Sequence, residues 1–233
     1  FPIILKNTLT LSLLSLILGF PLPIILALLL NEVSNGHFRK TFQTVSYAPH
    51  FISTVVMCGM LTLFLNPTSG IFNIIITKLG GESVNFLQDP ANFKWIYVLS
   101  AVWQEMGWGS IIYFATLSGV DRSLLEAAEI DGANRFQKIW YINVPVLIPT
   151  IIILLILQCG SLLSVGYEKV YLLQNTTNLS GSEVISTYVY KVGLEQADFS
   201  FGAAADLFNS VINSTILILA NFIAKRTTDQ GLF

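Results

Sequence analysis

The sequence predicts an all-α membrane protein, a bundle of five transmembrane helices within 233 residues. Charged residues make up only 11% of the chain, against roughly 25% in an average soluble domain. Hydrophobic residues reach 53%, and the mean hydropathy is +0.67. So few charges could not cover the surface of a soluble domain of this size. The chain is therefore expected to lie in a lipid bilayer, with membrane lipid as its solvent.

The five predicted spans have the roughly 20 apolar residues that a bilayer-crossing helix needs, and they are 8–30, 47–66, 95–117, 144–165 and 204–224. The first contains Pro21 and Pro23 and is expected to kink there. The third contains Glu105 and the fifth opens with Asp206, whereas no acid or base interrupts the other three. A shorter apolar stretch, 71–79, is too brief to span and is predicted to lie at the interface.

Composition and motifs exclude several classes of function. The net charge of −2 and the lack of a basic cluster argue against a nucleic-acid binder. Cys58 and Cys159 both lie in apolar stretches, which argues against a disulfide framework. These cysteines and the two histidines offer no metal-ligand spacing, and His50 is interpreted as a structural hydrogen-bond partner in preference to a proton relay. No G-x-x-x-x-G-K-[ST] loop is present, so the chain is not expected to bind ATP itself.

The distribution of basic residues predicts the orientation in the membrane. Positive charge collects in cytoplasmic loops, and every Arg of the chain falls in 33–46, in 118–143 or in the tail after 224. We therefore expect a multi-pass protein of the cell (plasma) membrane whose C-terminus is cytoplasmic. By the same rule the segment 166–205 is extracellular.

The cytoplasmic loop 118–143 is the most informative segment of the chain. Asp121 and Ser123, the latter followed three residues later by Glu126, are helix-capping signals. Gly132 can end that helix with a left-handed turn, after which a second amphipathic stretch leads to the fourth span. The sequence predicts a short helix, a sharp turn and a return helix. The alternative is an ordinary solvated loop.

This loop resembles the EAA motif of the permeases of ABC importers, with matches at Glu126, Ala127, Ala128, Gly132, Ile142 and Pro145. Val144 stands where that family usually has Leu. The rest of the chain resembles the carbohydrate permeases of the family, and more narrowly the polysaccharide-type permeases of Gram-positive bacteria. The stretches that carry this wider resemblance are IILALLLNE, TVSYAPHFIS, EMGWGSIIYFATLSGVD, EIDGANRFQKIW and STYVYKVGL.

The resemblance implies a fold and a set of partners. Permeases of this kind have six spans, so a further span is expected before Phe1. The loop would form a cytoplasmic coupling helix docked in a groove of an ATPase, through Glu126, Ala127, Ala128, Asp131, Gly132 and Ala133. The implied partners are a second homologous permease in a heterodimer, two ATPase subunits that hold ATP and Mg, and an extracellular solute-binding lipoprotein. The chain itself would bind no cofactor and catalyse no reaction, while an oligosaccharide passes into the cytoplasm.

Two alternatives remain open on the sequence. The EAA pattern by itself fits an ABC importer whose cargo is an amino acid, a peptide or an ion. An ATP-independent secondary carrier or channel would have to use Glu105 or Asp206 as an ion-coupling site, and no inverted repeat between the two halves supports it.

The middle of the third span is a candidate cargo path, with the candidate residues Gln104, Glu105, Trp108 and Tyr113. An acid inside a span is functional by default, and Trp108 lies at i+3 from Glu105, so the two share one helix face. Aromatic rings beside carboxylate or amide groups suit a sugar. In the alternative interpretation, Gly107 and Gly109 let another helix pack closely and Glu105 is a structural hydrogen-bond partner.

The segment 166–205 is polar and rich in tyrosine. It is predicted to be a surface on which the binding protein docks, since a loop of this length is uncommon without a role. The alternative is an ordinary connecting loop.

Overall fold

The computed structural model describes residues 2–228 and 230–232, together with all their side chains except that of Arg122, and within them it is helical and contains no strand. The α-helices, numbered α1 to α13 in chain order, are Pro2–Gly19, Pro21–Asn31, Gly36–Tyr47, Thr54–Phe64, Ile71–Lys78, Pro90–Leu117, Arg122–Ile130, Arg135–Lys138, Val144–Cys159, Tyr167–Leu173, Leu179–Ser182, Ile185–Tyr190 and Phe199–Thr228. A 3₁₀ turn covers Ala48–Phe51, and π-helical turns cover Ile139–Asn143 and Lys191–Glu195. The predicted all-α class is confirmed.

Three helices of the described chain are long and apolar enough to cross a membrane: Pro2–Asn31, Arg135–Cys159 and Phe199–Thr228. A fourth is added if the bent pair Gly36–Phe51 and Thr54–Phe64 is one broken span. The helix α6 is 28 residues long but is not apolar enough to be counted, because Gln104 and Glu105 lie in its middle. The structure therefore supports a multi-pass membrane protein, and the number of five spans is not confirmed.

Proline accounts for the interruption of the first apolar segment. The helix α1 ends at Gly19, and α2 begins at Pro21 as expected from the sequence. A proline is tolerated in the first turn of a helix, because that N–H would have no partner inside the helix. The break thus costs little, and the two helices still form one apolar stretch of 30 residues.

The predicted span 47–66 is not one continuous helix. The chain passes through the 3₁₀ turn that contains Pro49, and α4 begins only at Thr54. The Ser53 hydroxyl caps α4 by accepting a hydrogen bond from the Val56 N–H. With 11 residues, α4 is about 17 Å long, well short of the roughly 30 Å of a hydrocarbon core.

The chain divides into two compact units. The first unit comprises the chain up to Ser15 with Ile52–Ala101 and Ser161–Asn213. Within this unit the Thr8 hydroxyl accepts a hydrogen bond from the Ile185 N–H at 3.0 Å. This bond joins segments far apart in sequence, so the first unit is held by buried polar contacts as well as by apolar packing.

The segment 166–205, in the first unit, is packed structure and not an extended loop. It contains α10, α11 and α12 before α13 begins. Its fully buried Asn178 donates from the side chain to the Leu87 carbonyl at 2.8 Å and to the Leu173 carbonyl at 3.1 Å. A buried amide that meets these backbone acceptors fixes the segment against the rest of the unit.

The second unit comprises Leu16–Phe51, Val102–Gly160 and the chain from Ser214 onward. Its hydrophobic core consists of Ala27, Tyr113, Leu117 and Leu147, all nearly inaccessible to solvent. The second unit contains two of the segments for which the sequence predicts a function, the 118–143 loop and the middle of α6.

Candidate functional site

The first helix of the 118–143 loop begins with an acidic cap. The Asp121 carboxylate accepts a hydrogen bond from the Ser123 N–H at 2.9 Å, so Asp121 occupies the N-cap position and Ser123 lies in the first turn. This backbone hydrogen bond favours the ionised acid and lowers the pKa of Asp121 below its ordinary value. The helix that follows, α7, carries the Glu-Ala-Ala residues.

A left-handed glycine ends α7, as the sequence predicts. Gly132 has a φ of +78°, a conformation that glycine adopts without steric cost. The Asp131 N–H donates to the Ala127 carbonyl at 2.9 Å, and the Ala133 N–H donates to the Ala128 carbonyl at 2.8 Å. These bonds satisfy the last carbonyls of the helix and reverse the chain sharply.

The return helix is capped and tied back to α7. The Asn134 carboxamide oxygen accepts from the Gln137 N–H, and the Gln137 carboxamide oxygen accepts from the Asn134 N–H, which is a capping box. Lys138 Nζ lies 2.7 Å from Glu129 Oε1 and joins α8 to α7. The hydrogen bond from Lys138 lowers the pKa of Glu129. The loop is therefore a defined helix–turn–helix rather than a solvated connection.

The turn presents apolar side chains to its surroundings. Ile130 is 87% exposed and Phe136 is 83% exposed. The same helix–turn–helix has a groove of about 320 Å³, which is lined by Ala128, Gly132 and Tyr141 among others. Exposed apolar side chains on a rigid turn mark an interaction surface. Ile130 and Phe136 are not among the residues predicted for ATPase coupling, although their apolar side chains on either side of Gly132 are visible in the sequence.

The six residues predicted for ATPase coupling lie together on this helix–turn–helix. Four of them are exposed, namely Glu126, Ala127, Asp131 and Gly132. The other two, Ala128 and Ala133, are half-buried.

The middle of α6 pairs with the 3₁₀ turn. His50 Nδ1 and Glu105 Oε2 are 2.9 Å apart and share a hydrogen bond between residues 55 positions apart in the sequence. Trp108 stacks on the His50 ring with centroids 4.4 Å apart and an interplanar angle of 4°. Phe51 packs edge-on against the same indole. His50 thus has the structural hydrogen bond expected for it, and its partner is the acid of the candidate cargo path.

The four candidate cargo-path residues do not share one surface. The side chain of Glu105 is 56% exposed and Trp108 is 43% exposed. Gln104 is buried, and Tyr113 lies in the hydrophobic core of the second unit at 3% exposure. The exposed face of α6 therefore brings together Glu105, Trp108 and the half-exposed His50, whereas Gln104 and Tyr113 face the packed side of the helix.

Two glycines of α6 permit close packing. A Cβ at Gly107 would collide with the backbone carbonyl of Ser46, and a Cβ at Gly109 would lie 3.3 Å from the Pro23 ring. The packing role considered for these glycines is confirmed. Gly107 packs on the buried side of α6, whereas Gly109 follows Glu105 by four residues and lies on the same face of the helix as Glu105.

Comparisons with known proteins agree with one another. The family described as "Binding-protein-dependent transport system inner membrane component" matches residues 5–229. "Protein LplB" of Bacillus subtilis (strain 168) is 42% identical over 230 residues, which cover 99% of this chain and 72% of that protein. "Polygalacturonan/rhamnogalacturonan transport system permease protein YteP" of the same organism is 42% identical, covering 100% of this chain and 73% of that protein.

A solved structure resembles the whole described fold. It is the crystal structure of a bacterial alginate ABC transporter in complex with an alginate pentasaccharide-bound periplasmic protein. One of its chains superposes with a TM-score of 0.96 at 43% identity, covering 100% of this chain and 81% of that chain.

Proposed function

Because this chain belongs to the family of binding-protein-dependent transport system inner membrane components, we propose that it is one of two transmembrane subunits of an ATP-driven oligosaccharide importer. Two of its relatives are named as permeases for polygalacturonan/rhamnogalacturonan and for arabinooligosaccharides, and the chain is a permease of that kind. The second subunit would be a homologous permease, and cargo would arrive on an extracellular solute-binding lipoprotein. The importer would move one oligosaccharide inward for each cycle of opening and closing.

The exposed turn between α7 and α8 is the observation that supports coupling of this chain to ATP hydrolysis. In this proposal Ile130, Gly132 and Phe136 dock in a groove of a cytoplasmic ATPase subunit. In this proposal the two helix caps and the Lys138–Glu129 ion pair hold the turn in one conformation, so that it can transmit a displacement. ATP and Mg would be held by two such ATPase subunits, and this chain would contribute motion but no chemical step.

The exposed face of α6 is the proposed cargo path. A sugar has apolar ring faces and hydroxyl edges, so the indole of Trp108 can stack on a ring while Glu105 and His50 accept and donate hydrogen bonds. The half-exposed pair of His50 and Glu105 supports this assignment, since polar groups of a membrane protein usually face protein or a wet cavity.

Reconstitution tests the function directly. The chain should be co-expressed with its sister permease, the ATPase and the binding protein, and placed in lipid nanodiscs. Loaded binding protein should stimulate ATP hydrolysis, and the same complex in proteoliposomes should take up the oligosaccharide. Hydrolysis and uptake that proceed equally well in a preparation lacking this chain would contradict the proposal.

Cysteine labelling tests the proposed orientation. Single cysteines at Ile130 and Thr228, both exposed positions, should resist a membrane-impermeant maleimide in intact cells. Cysteines at the exposed positions Glu82 and Gln196 should react. The C-terminus and the 118–143 loop are then cytoplasmic, which the coupling role requires.

The labelling requires a background in which Cys58 and Cys159 are replaced by alanine, because both are free thiols. Permeabilised cells provide the control, since the Ile130→Cys reporter must react there. Modification of that reporter from outside in sealed cells would reverse the orientation and remove the coupling proposal with it.

A further inference from the structure

A second cavity lies in the first unit, apart from α6 and from the 118–143 loop. It has a volume of about 700 Å³ and is bordered by residues 163–167, by the region of α12 and its π-helical turn, and by the beginning of α13. This volume falls within the range of about 300–1,000 Å³ of small-molecule sites. We call it the α12–α13 pocket.

One wall of the α12–α13 pocket is aromatic. The rings of Tyr167 and Tyr190 both line it, with centroids 4.6 Å apart. Tyr171 packs against both at 5.4 and 5.3 Å and donates a hydrogen bond to Glu195 at 3.3 Å. Because these neighbours hold the two rings in place, the wall is a rigid apolar surface on which the face of a sugar ring can stack.

Another part of the lining is polar and comes from one face of α13. Asp206, Asn209, Ser210 and Asn213 line the pocket and lie at i, i+3, i+4 and i+7, so they form one stripe. Asn213 fixes its edge: its side chain accepts from the Leu163 N–H and donates to the Ser164 hydroxyl, each at 3.1 Å. The wall therefore presents hydrogen-bonding groups at fixed positions.

Asn209 has unused hydrogen-bonding capacity in this wall. Its Oδ1 atom is buried and has no hydrogen-bond partner within the described residues. Leaving a buried acceptor without a partner is costly, so such groups are normally satisfied by a protein group, a water or a ligand. Because Asn209 lines the pocket, a hydroxyl group of a ligand that reaches this oxygen would donate the missing hydrogen bond.

The charges of the lining discriminate between kinds of sugar. Asp206 brings a carboxylate to the pocket, and none of the described lining residues is a Lys, Arg or His. A uronic acid bound here would place its carboxylate near Asp206, and no cationic side chain of the described lining would offset the repulsion. The hydroxyls of an uncharged sugar meet no such penalty, since Asp206 and Asn209 can accept from them.

From the aromatic wall, the polar stripe and the single sign of charge, we infer that the α12–α13 pocket is a binding subsite for an uncharged sugar unit. The inference rests on the proposed function, because the subsite would contact the oligosaccharide during its import. The preference for an uncharged sugar is inferred from the residues that line the pocket in this chain, and not from the acidic polysaccharides in the names of its relatives.

Thiol protection in the assembled complex tests the subsite. A cysteine at Ser210, in a background without Cys58 and Cys159, should react with maleimide in nanodiscs containing both permeases and the ATPases. The probes are methyl glycosides of galactose, glucose and mannose, each paired with its uronate, which differs only in carrying a carboxylate at C6. At least one neutral glycoside should slow the reaction, and its uronate should not at the same concentration.

Two variants locate the effect in the polar wall. Asn209→Ala should raise the protecting concentration of the neutral glycoside about threefold to tenfold, as expected for one lost hydrogen bond. Asp206→Asn should let the uronate protect as well. A cysteine at Glu82, an exposed position of the same unit outside the pocket, is the control and should be protected by none of the probes.

Three outcomes would overturn the inference: no protection by any glycoside, equal protection by the uronates, or a Ser210→Cys reporter that reacts in the isolated permease but is covered in the complex. A second cysteine reporter at Ala203, which also lines the pocket, shows whether a failure of protection is caused by the substitution at Ser210 itself. Uptake by the reconstituted importer would persist in each of these cases, so failure of the subsite is distinguishable from failure of the proposed function.

Discussion

Replacing Gly132 by leucine should abolish oligosaccharide uptake while the chain still inserts and pairs with its sister permease. At a φ of +78°, a residue with a Cβ is destabilised by roughly 1–2 kcal/mol. Apart from the residues next to Gly132 in the chain, an added Cβ would meet no atom of the described residues within 4 Å, so the leucine side chain would project from the exposed turn. It would occupy the space proposed for the ATPase groove. We therefore expect the variant to lose both uptake and binding of the ATPase. Uptake is measured in proteoliposomes, and ATPase binding is measured as the amount of ATPase recovered with the purified permease pair.

Two further variants separate backbone strain from the loss of docking. Gly80 has the same left-handed conformation, with a φ of +86°, and equally open surroundings. Gly80→Leu should therefore carry a similar strain and leave uptake close to that of the parent. Gly132→Asn keeps the turn, because asparagine tolerates this conformation, and should transport better than the leucine variant. Normal uptake by Gly132→Leu at normal expression would contradict the coupling assignment.

Local features of the chain could be predicted from the sequence because they depend on the chemistry of single residues. The interruption at Pro21 and the left-handed turn at Gly132 follow from the restricted or permissive backbone of those residues. The cap was harder to choose, since Asp121 and Ser123 both suit that position. The structure gives it to Asp121.

Apolar periodicity overestimated the continuity of the second span. Hydropathy averages over a window, so it does not detect that Pro49 and Ser53 together break the helix between Tyr47 and Thr54. For the segment 166–205 the polar residues predict a loop, whereas the structure contains the helices α10, α11 and α12 there. Asn178 is polar and yet fully buried, since its partners Leu87 and Leu173 are backbone carbonyls that no sequence pattern shows.

The candidate cargo path shows the limit of reasoning along one helix. Glu105 and Trp108 were assigned to one face from their spacing, and both are exposed in the structure. Their partner His50 lies 55 residues away, so only the tertiary fold identifies it. Tyr113 was included because it is aromatic and nearby in sequence. Its position in the core with Leu147 depends on packing that spacing does not encode.

Replacing Glu105 by alanine should leave assembly of the permease pair intact and sharply reduce uptake. The side chain is 56% exposed, and its hydrogen bond is to half-exposed His50, so its removal opens no cavity in the core. It removes one charged group from the proposed cargo path and leaves the imidazole without its acceptor. Glu105→Gln keeps an acceptor for His50 but loses the charge, so uptake by this variant tells whether the charge itself is required. Yield of the purified complex and initial uptake rates are the two measurements.

Gly107→Ala is the matched control for a packing defect, two residues away on the same helix. Its new methyl group would collide with the Ser46 carbonyl, so the helices must separate. Overpacking of this kind typically costs about 1–3 kcal/mol. This variant should lower the yield and thermal stability of the complex, and the surviving fraction should transport at the parental rate per molecule. Glu105→Ala should therefore lower the uptake rate and not the yield of the complex, whereas Gly107→Ala should lower the yield and not the uptake rate per molecule.

If Glu105→Ala instead lost assembly as Gly107→Ala does, Glu105 would be a packing residue. If it assembled and transported like the parent, the exposed face of α6 would have no part in the cargo path.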